Sequence, residues 1–147
     1  MKSTELEKAM RAAQKGDIHK WVLTFLRDSG SNPNLVEKLQ RDGLYYYGPI
    51  EYPIESIVNI LGPDKSFKFQ EKESTFSDRV DKIISAIQAG WKAPPLLVTN
   101  FWEDYFELAD GGHRYRAFQK MGIDKYLMIF YFRDKASKDK FISKLEL

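Results

Sequence analysis

Residues 105–121, YFELADGGHRYRAFQKM, narrow the fold more than any other part of the chain. They predict a strand over 105–109, with Tyr105, Glu107 and Ala109 on one face and Phe106 and Leu108 on the other. Asp110-Gly111-Gly112 then demands a tight turn. Residues 113–121 read as a helix closed by Gly122. A strand, a glycine turn and a helix start together make an anion site. The first amides of the helix point outward, its dipole favours negative charge, and two glycines let a phosphate come close. His113 and Arg114 add donors in the first turn.

Around this stretch the chain reads as α+β. Helices are expected over 3–15, stopped by Gly16, and over 18–27, capped by Asp17. The loop Gly30-Ser31-Asn32-Pro33-Asn34 leads to a third helix, with Leu35, Val36 and Leu39 on its apolar side and its end near Gly43. The aromatic run Tyr45-Tyr46-Tyr47 opens a different texture, with a strand over 50–52 and a short helix over 53–61 starting at Pro53. Residues 65–75 form a polar loop, longer than a simple connection needs. A helix over 78–89, capped by Ser77 or Ser74, buries Val80, Ile83, Ile84 and Ile87. A strand over 96–99 pairs as a hairpin with 105–109; a buried strand over 126–132 and an amphipathic helix over 137–145 follow. The expected organisation is an N-terminal helical extension, 1–44, packed on a second unit, 45–147.

Composition excludes several function classes. The chain has 147 residues, 43% hydrophobic and 30% charged, enough for one ordinary globular core. It has no cysteine, which removes disulfides, thiolate metal sites and cysteine nucleophiles. The charged start, MKSTELEKAM, is unlike a signal peptide, and no run is long enough to span a membrane, so a cytoplasmic protein is expected. A net charge of +2 does not support DNA as a partner. His19 reads as a surface histidine, and Trp21, Phe25, Tyr115 and Phe118 as core.

Pro94-Pro95-Leu96-Leu97-Val98, the second strand, and Asp110-Gly111-Gly112-His113-Arg114-Tyr115-Arg116-Ala117-Phe118 together resemble the ParB/sulfiredoxin-like superfamily over residues 50–132. Gly111, His113, Arg114, Tyr115, Ala117 and Gln119 fall on the sulfiredoxin pattern G-C-H-R-Y-x-A-Y-Q, but Gly112 takes the catalytic cysteine position, so sulfinic-acid reduction is excluded. Gly111, Arg114, Tyr115, Arg116 and Ala117 fall on the ParB pattern G-E-R-R-(Y/W)-R-A, and Asp110, Gly111, His113 and Arg114 on the D-G-H-H-R of related free-serine kinases. The resemblance implies a small mixed sheet with flanking helices and a nucleotide site, with Mg2+ and ATP/ADP or CTP. It places the phosphates on Gly111, Gly112, His113 and Arg114. It adds Arg79 and Arg116 as further phosphate contacts and Glu71 or Glu73 as a base. Arg116 corresponds to a ParB arginine that supports nucleotide-driven contacts, and otherwise makes a surface ion pair. Asp110 reads equally as a magnesium ligand, as a base, or as a cap or turn residue.

Two functions follow as expectations. One is an enzyme performing ATP-dependent phosphotransfer or nucleotide hydrolysis, with an unknown small-molecule or protein acceptor. The other is a non-catalytic or CTP-responsive ParB-like module acting through self-association, as a homodimer, or through a partner, DNA or protein. No ParB helix-turn-helix domain is expected in the residues after 132. The sequence further predicts that Arg114→Ala abolishes nucleotide binding and leaves the fold intact.

Overall fold

The computed structural model describes residues 4–28, 32–41, 44–58, 61–62, 69–70, 73–99 and 106–145. Helix α1 (Glu5–Lys15) starts where the Thr4 hydroxyl accepts the Glu7 N–H at 3.1 Å, and it stops at Gly16, whose φ of 77° is left-handed. Helix α2 (Ile18–Asp28) follows after Asp17. Helix α3 (Pro33–Arg41) begins two residues before Leu35, where the sequence placed it. Asn32 is its cap, the side-chain oxygen accepting the Leu35 N–H at 3.3 Å, with Pro33 in the first position.

The remaining elements are β1 (Tyr45–Pro53), a 3₁₀ turn (Ile54–Ser56), β2 (Ile57–Val58), β3 (Leu61–Gly62), β4 (Phe69–Gln70), α4 (Glu73–Gln88), β5 (Leu96–Thr99), β6 (Phe106–Asp110), α5 (Gly112–Lys120), β7 (Lys125–Phe132) and α6 (Lys135–Leu145). A five-stranded mixed sheet has the order β1-β7-β5-β6-β2. Strands β1 and β7 are antiparallel, as are β5 and β6, whereas β5 runs parallel to β7 and β2 parallel to β6. Strands β3 and β4 form a separate parallel pair.

Three expectations about elements are corrected. The strand expected over 50–52 extends over all of β1, because Tyr45, Tyr46 and Tyr47 pair with Phe132, Tyr131 and Phe130. The helix expected over 53–61 is one 3₁₀ turn followed by β2. Ile57 and Val58 are taken by β6, and the Tyr115 hydroxyl donates to the Ile57 carbonyl at 3.1 Å. Helix α4 begins at Glu73, so Glu73 belongs to a helix start and not to the loop. Glu71, like most of that loop and Tyr105, lies outside the described residues.

Each face of the sheet buries its own cluster. On one face Leu96, Val98, Leu108, Met128, Phe130 and Phe132 meet Tyr115 and Phe118 of α5 and Phe141 of α6. On the other, Leu97, Ile129 and Tyr131 meet Val22, Phe25 and Leu26 of α2 and Val36 and Leu39 of α3. The alternation in β5 and β7 produces this division, since neighbouring side chains leave a strand on opposite faces. Helix α4 covers the outside of α5 through Phe76, Val80 and Ala117. The glycine turn thus lies between two layers, with α2 and α3 behind it and α4 in front.

Candidate functional site

The end of β6 delivers Asp110, and Gly111 makes the corner. Gly111 has φ 110° and ψ 28° and is the N-cap of α5, so the cap residue itself offers no side chain to the first amides. A Cβ there would lie 2.7 Å from Leu96 Cδ2 and 2.9 Å from Arg114 Nη2, so glycine is required for space as well as for φ. The first helical bond runs from the Tyr115 N–H to the Gly111 carbonyl at 2.8 Å. The N–H groups of Gly112, His113 and Arg114 precede it and have no helical acceptor. Helix α4 borders this end, with the Phe76 ring 5.2 Å from the His113 ring. Arg79 follows one turn after Phe76, on the same side of α4, and is exposed.

The arginine expected to face the ligand faces inward. Arg114 is buried. Its Nη1 donates to the carbonyls of Pro94 and Pro95, both at 2.7 Å, and its Nη2 to Asp110 Oδ2 at 3.0 Å. Its Cζ lies 5.5 Å from the centroid of the Phe25 ring, a cation–π contact. Burial pulls the guanidinium below its ordinary value, and the negative charge of Asp110 pushes back. The expectation that Arg114 can be removed without affecting the fold is therefore corrected: its guanidinium ties α5 to the lead into β5, to β6 and to α2.

Asp110 is equally engaged. Its Oδ2 accepts from Arg114, and its Oδ1 accepts from Asn32 Nδ2 at 3.2 Å. It does not cap α5, whose N-cap is Gly111. Arg116, exposed two residues along the helix, donates to Gln119 Oε1 at 3.3 Å and lies on a different side of α5 from Arg114. Among the described residues no group of three or more His, Cys, Asp or Glu is arranged to hold a metal ion. Among them, too, no helix is long and apolar enough to cross a membrane.

The structure thus sets Phe76 of α4 beside His113 at the glycine turn, leaves Arg79 exposed one turn along α4, sends Arg114 into the core, and leaves Arg116 along the helix. The sequence reading has Phe25 only as a core residue and Asn32 only in a loop, although two signals for this arrangement are present. Asp110 and Arg114 stand at i and i+4, the spacing of a helical ion pair, and Asn32-Pro33 is a strong helix-start pair.

The model of the ParB N-terminal domain matches residues 57–138. No curated protein sequence matches the chain. Similar solved structures include a conserved hypothetical protein from Pyrococcus furiosus, with 17% identity and a TM-score of 0.43 over 55% of this chain and 31% of that one. A Pnob8-like ParB-N domain shares 20% identity with a TM-score of 0.42, over 65% of this chain and 33% of that one. The C-terminally truncated chromosome-partitioning protein ParB from Caulobacter crescentus, complexed with CTP-γ-S, shares 20% identity with a TM-score of 0.38, over 69% of this chain and 54% of that one. The alignments therefore span about a third to a half of those chains. The matched segment runs from β2 into α6, includes the whole glycine turn, and covers more than half of the 147 residues: the chain belongs to the ParB N-terminal domain family.

Proposed function

We infer that this protein is a nucleotide-responsive ParB-like module. It takes the phosphates of a nucleoside triphosphate, CTP by the family resemblance, at the N-terminus of α5. The first-turn amides of Gly112 and His113, the His113 side chain and Arg79 of α4 supply the donors. Residues 45–147 carry the nucleotide, and residues 1–44 form a helical extension on the other face. Magnesium would ride on the phosphates and their waters, which suits a site with no carboxylate cage among the described residues.

The observation that carries a binding module over phosphotransfer is the state of Asp110. Both of its oxygens are held, by Asn32 and by Arg114, so this carboxylate supports the turn and is not turned toward a substrate hydroxyl. A phosphotransferase needs a carboxylate within hydrogen-bond reach of the proton it takes. A switch needs only affinity that changes self-association or partner contact.

Calorimetry with CTP, ATP, ADP, GTP and AMP, with and without magnesium, tests the proposal. It is run beside phosphate-release and gel-filtration measurements. The expected outcome is saturable binding of CTP with magnesium, a change in oligomeric state, and weaker binding in His113→Ala and Arg79→Ala. Binding of none of the five overturns the reading. Steady release of phosphate from ATP in the presence of an acceptor replaces it with phosphotransfer.

A further inference from the structure

We propose that Asn32 and Phe25 are positioning residues for the nucleotide site, so that docking of α2 and α3 and occupancy of the α5 N-terminus are linked. The proposal rests on the nucleotide reading above. Both residues lie outside the family-matched segment. They are contributed by the N-terminal helices of this chain, and each touches the pair that sets the turn.

The linkage runs through direct contacts. Asn32 is pinned on three sides: its N–H donates to the Leu26 carbonyl at 2.9 Å, its carbonyl accepts from Val36, and its side-chain oxygen accepts from Leu35. Its remaining group, Nδ2, goes to Asp110. Asn32 therefore fixes the α2–α3 corner and the end of β6 relative to one another. Phe25 is stacked on Trp21 at 4.9 Å and 11°, and its ring carries the Arg114 guanidinium. That guanidinium in turn lies against Gly111, with Nη2 2.9 Å from where a Cβ would stand. A shift of α2 or α3 moves Arg114 or Asp110, and through them the residue whose φ aims the amides of Gly112 and His113.

This arrangement also gives the link a physical basis. Phosphates at the α5 N-terminus bring negative charge toward a turn that already contains the Asp110 carboxylate. Asn32 and Arg114 hold that carboxylate in place and share its charge. Loosening either donor raises the cost of bringing phosphates beside Asp110, and binding of phosphates is by linkage sensitive to whether α2 and α3 are docked.

The test uses the full chain and two readouts. N32D keeps a good cap for α3, since Asn and Asp are comparable in that role, but sets a carboxylate against Asp110. The double variant N32D/D110N rebuilds the bond with donor and acceptor exchanged, leaving the amide oxygen at position 110 to accept from Arg114 and one carboxylate, at position 32, in the cluster. In the ligand-free protein, the amide resonances of Gly111 and Gly112 are expected to shift in N32D, with faster hydrogen exchange, and to return toward wild type in the double variant. For CTP with magnesium, the dissociation constant is expected to rise about tenfold in N32D and to recover in the double variant. F25L, which removes the ring under the guanidinium and keeps apolar bulk, is expected to act in the same direction and serves if N32D fails to fold. Gly111 and Gly112 amides that do not respond to N32D, or to F25L in its place, overturn the positioning. Shifted amides with an unchanged dissociation constant overturn the link. A wild type that binds none of the five nucleotides overturns the nucleotide reading, and the ligand-free readout still decides the positioning.

Discussion

Arg114 and Asp110 form an ion pair at 3.0 Å with side chains only 9% and 13% exposed, four residues apart across a glycine corner. An ion pair this far from water is strained electrostatically unless every remaining donor and acceptor is satisfied. Here the Pro94 and Pro95 carbonyls accept from the guanidinium, and Asn32 donates to the carboxylate. Removing one partner is therefore far more damaging than a surface mutation of the same kind.

Arg114→Ala is expected to lower stability by about 3–5 kcal/mol, the usual cost of leaving a buried charge without its partner. Urea denaturation measures it. Arg114→Lys is expected to recover only part of the loss, because a single ammonium cannot reproduce the fork that reaches two carbonyls and a carboxylate. A stability change within about 0.5 kcal/mol for Arg114→Ala, the surface value, contradicts the burial assigned to it.

Gly111→Ala strains both backbone and packing. The left-handed φ and the approach of Leu96 and Arg114 act together, and the expected loss is about 2 kcal/mol or more. Thermal unfolding of this variant beside Gly122→Ala separates the two effects. Gly122 also has positive φ, but nothing lies within 4 Å of its Cβ position. Gly111→Ala should be clearly the worse of the two.

Phe141 anchors α6 to the sheet. Its ring contacts those of Tyr47, Tyr52, Phe106, Phe130 and Phe132, and it is the buried hydrophobic side chain of that helix. Phe141→Ala is expected to cost about 3–5 kcal/mol. Hydrogen exchange in α6 should rise before exchange in α5 does. Equal protection of the two helices in this variant would contradict the anchoring role.

Asp134 gives α6 a pH dependence. Its Oδ1 accepts the Ser137 N–H at 2.7 Å, and the Ser137 bonds hold its carboxyl below the ordinary carboxylate range. The contribution is fully present above the unfolded value of about 3.9 and is lost as pH falls through the lower folded value. Asp134→Ala should therefore reduce the urea midpoint at neutral pH, and the gap from wild type should close in acid. A gap that persists below the folded value would show that the carboxylate charge is not the cause.

Much of this fold can be read from residue pattern. Strand β5 falls on residues 96–99 and β7 within one residue of its expected start, because both are short apolar runs between turn signals. Helix α6 starts two residues early because Asp134, and not a residue nearer Ser137, supplies the cap. Strand β2 was illegible for a different reason: two residues carry no period, and their extended form is imposed by β6 and by the Tyr115 hydroxyl. At the site, the glycine turn and the helix start behind it follow from local sequence. The inward aim of Arg114 does not, since it is set by carbonyls of Pro94 and Pro95 and by the ring of Phe25.

The strand order has a consequence for how the molecule comes into being. Strand β7 is the shared neighbour of β1 and β5, so it is the bond between the first strand of the chain and the hairpin that carries the glycine turn. During synthesis β1 has no partner until residues 125–132 have emerged, by which time α4, β5, β6 and α5 have all been made. The apolar sides of α2 and α3 wait for the same event, since Ile129 and Tyr131 of β7 form much of the surface they cover. Folding is therefore committed late, by long-range pairing, and a nascent chain stalled before Lys125 exposes the sticky surfaces of two layers at once.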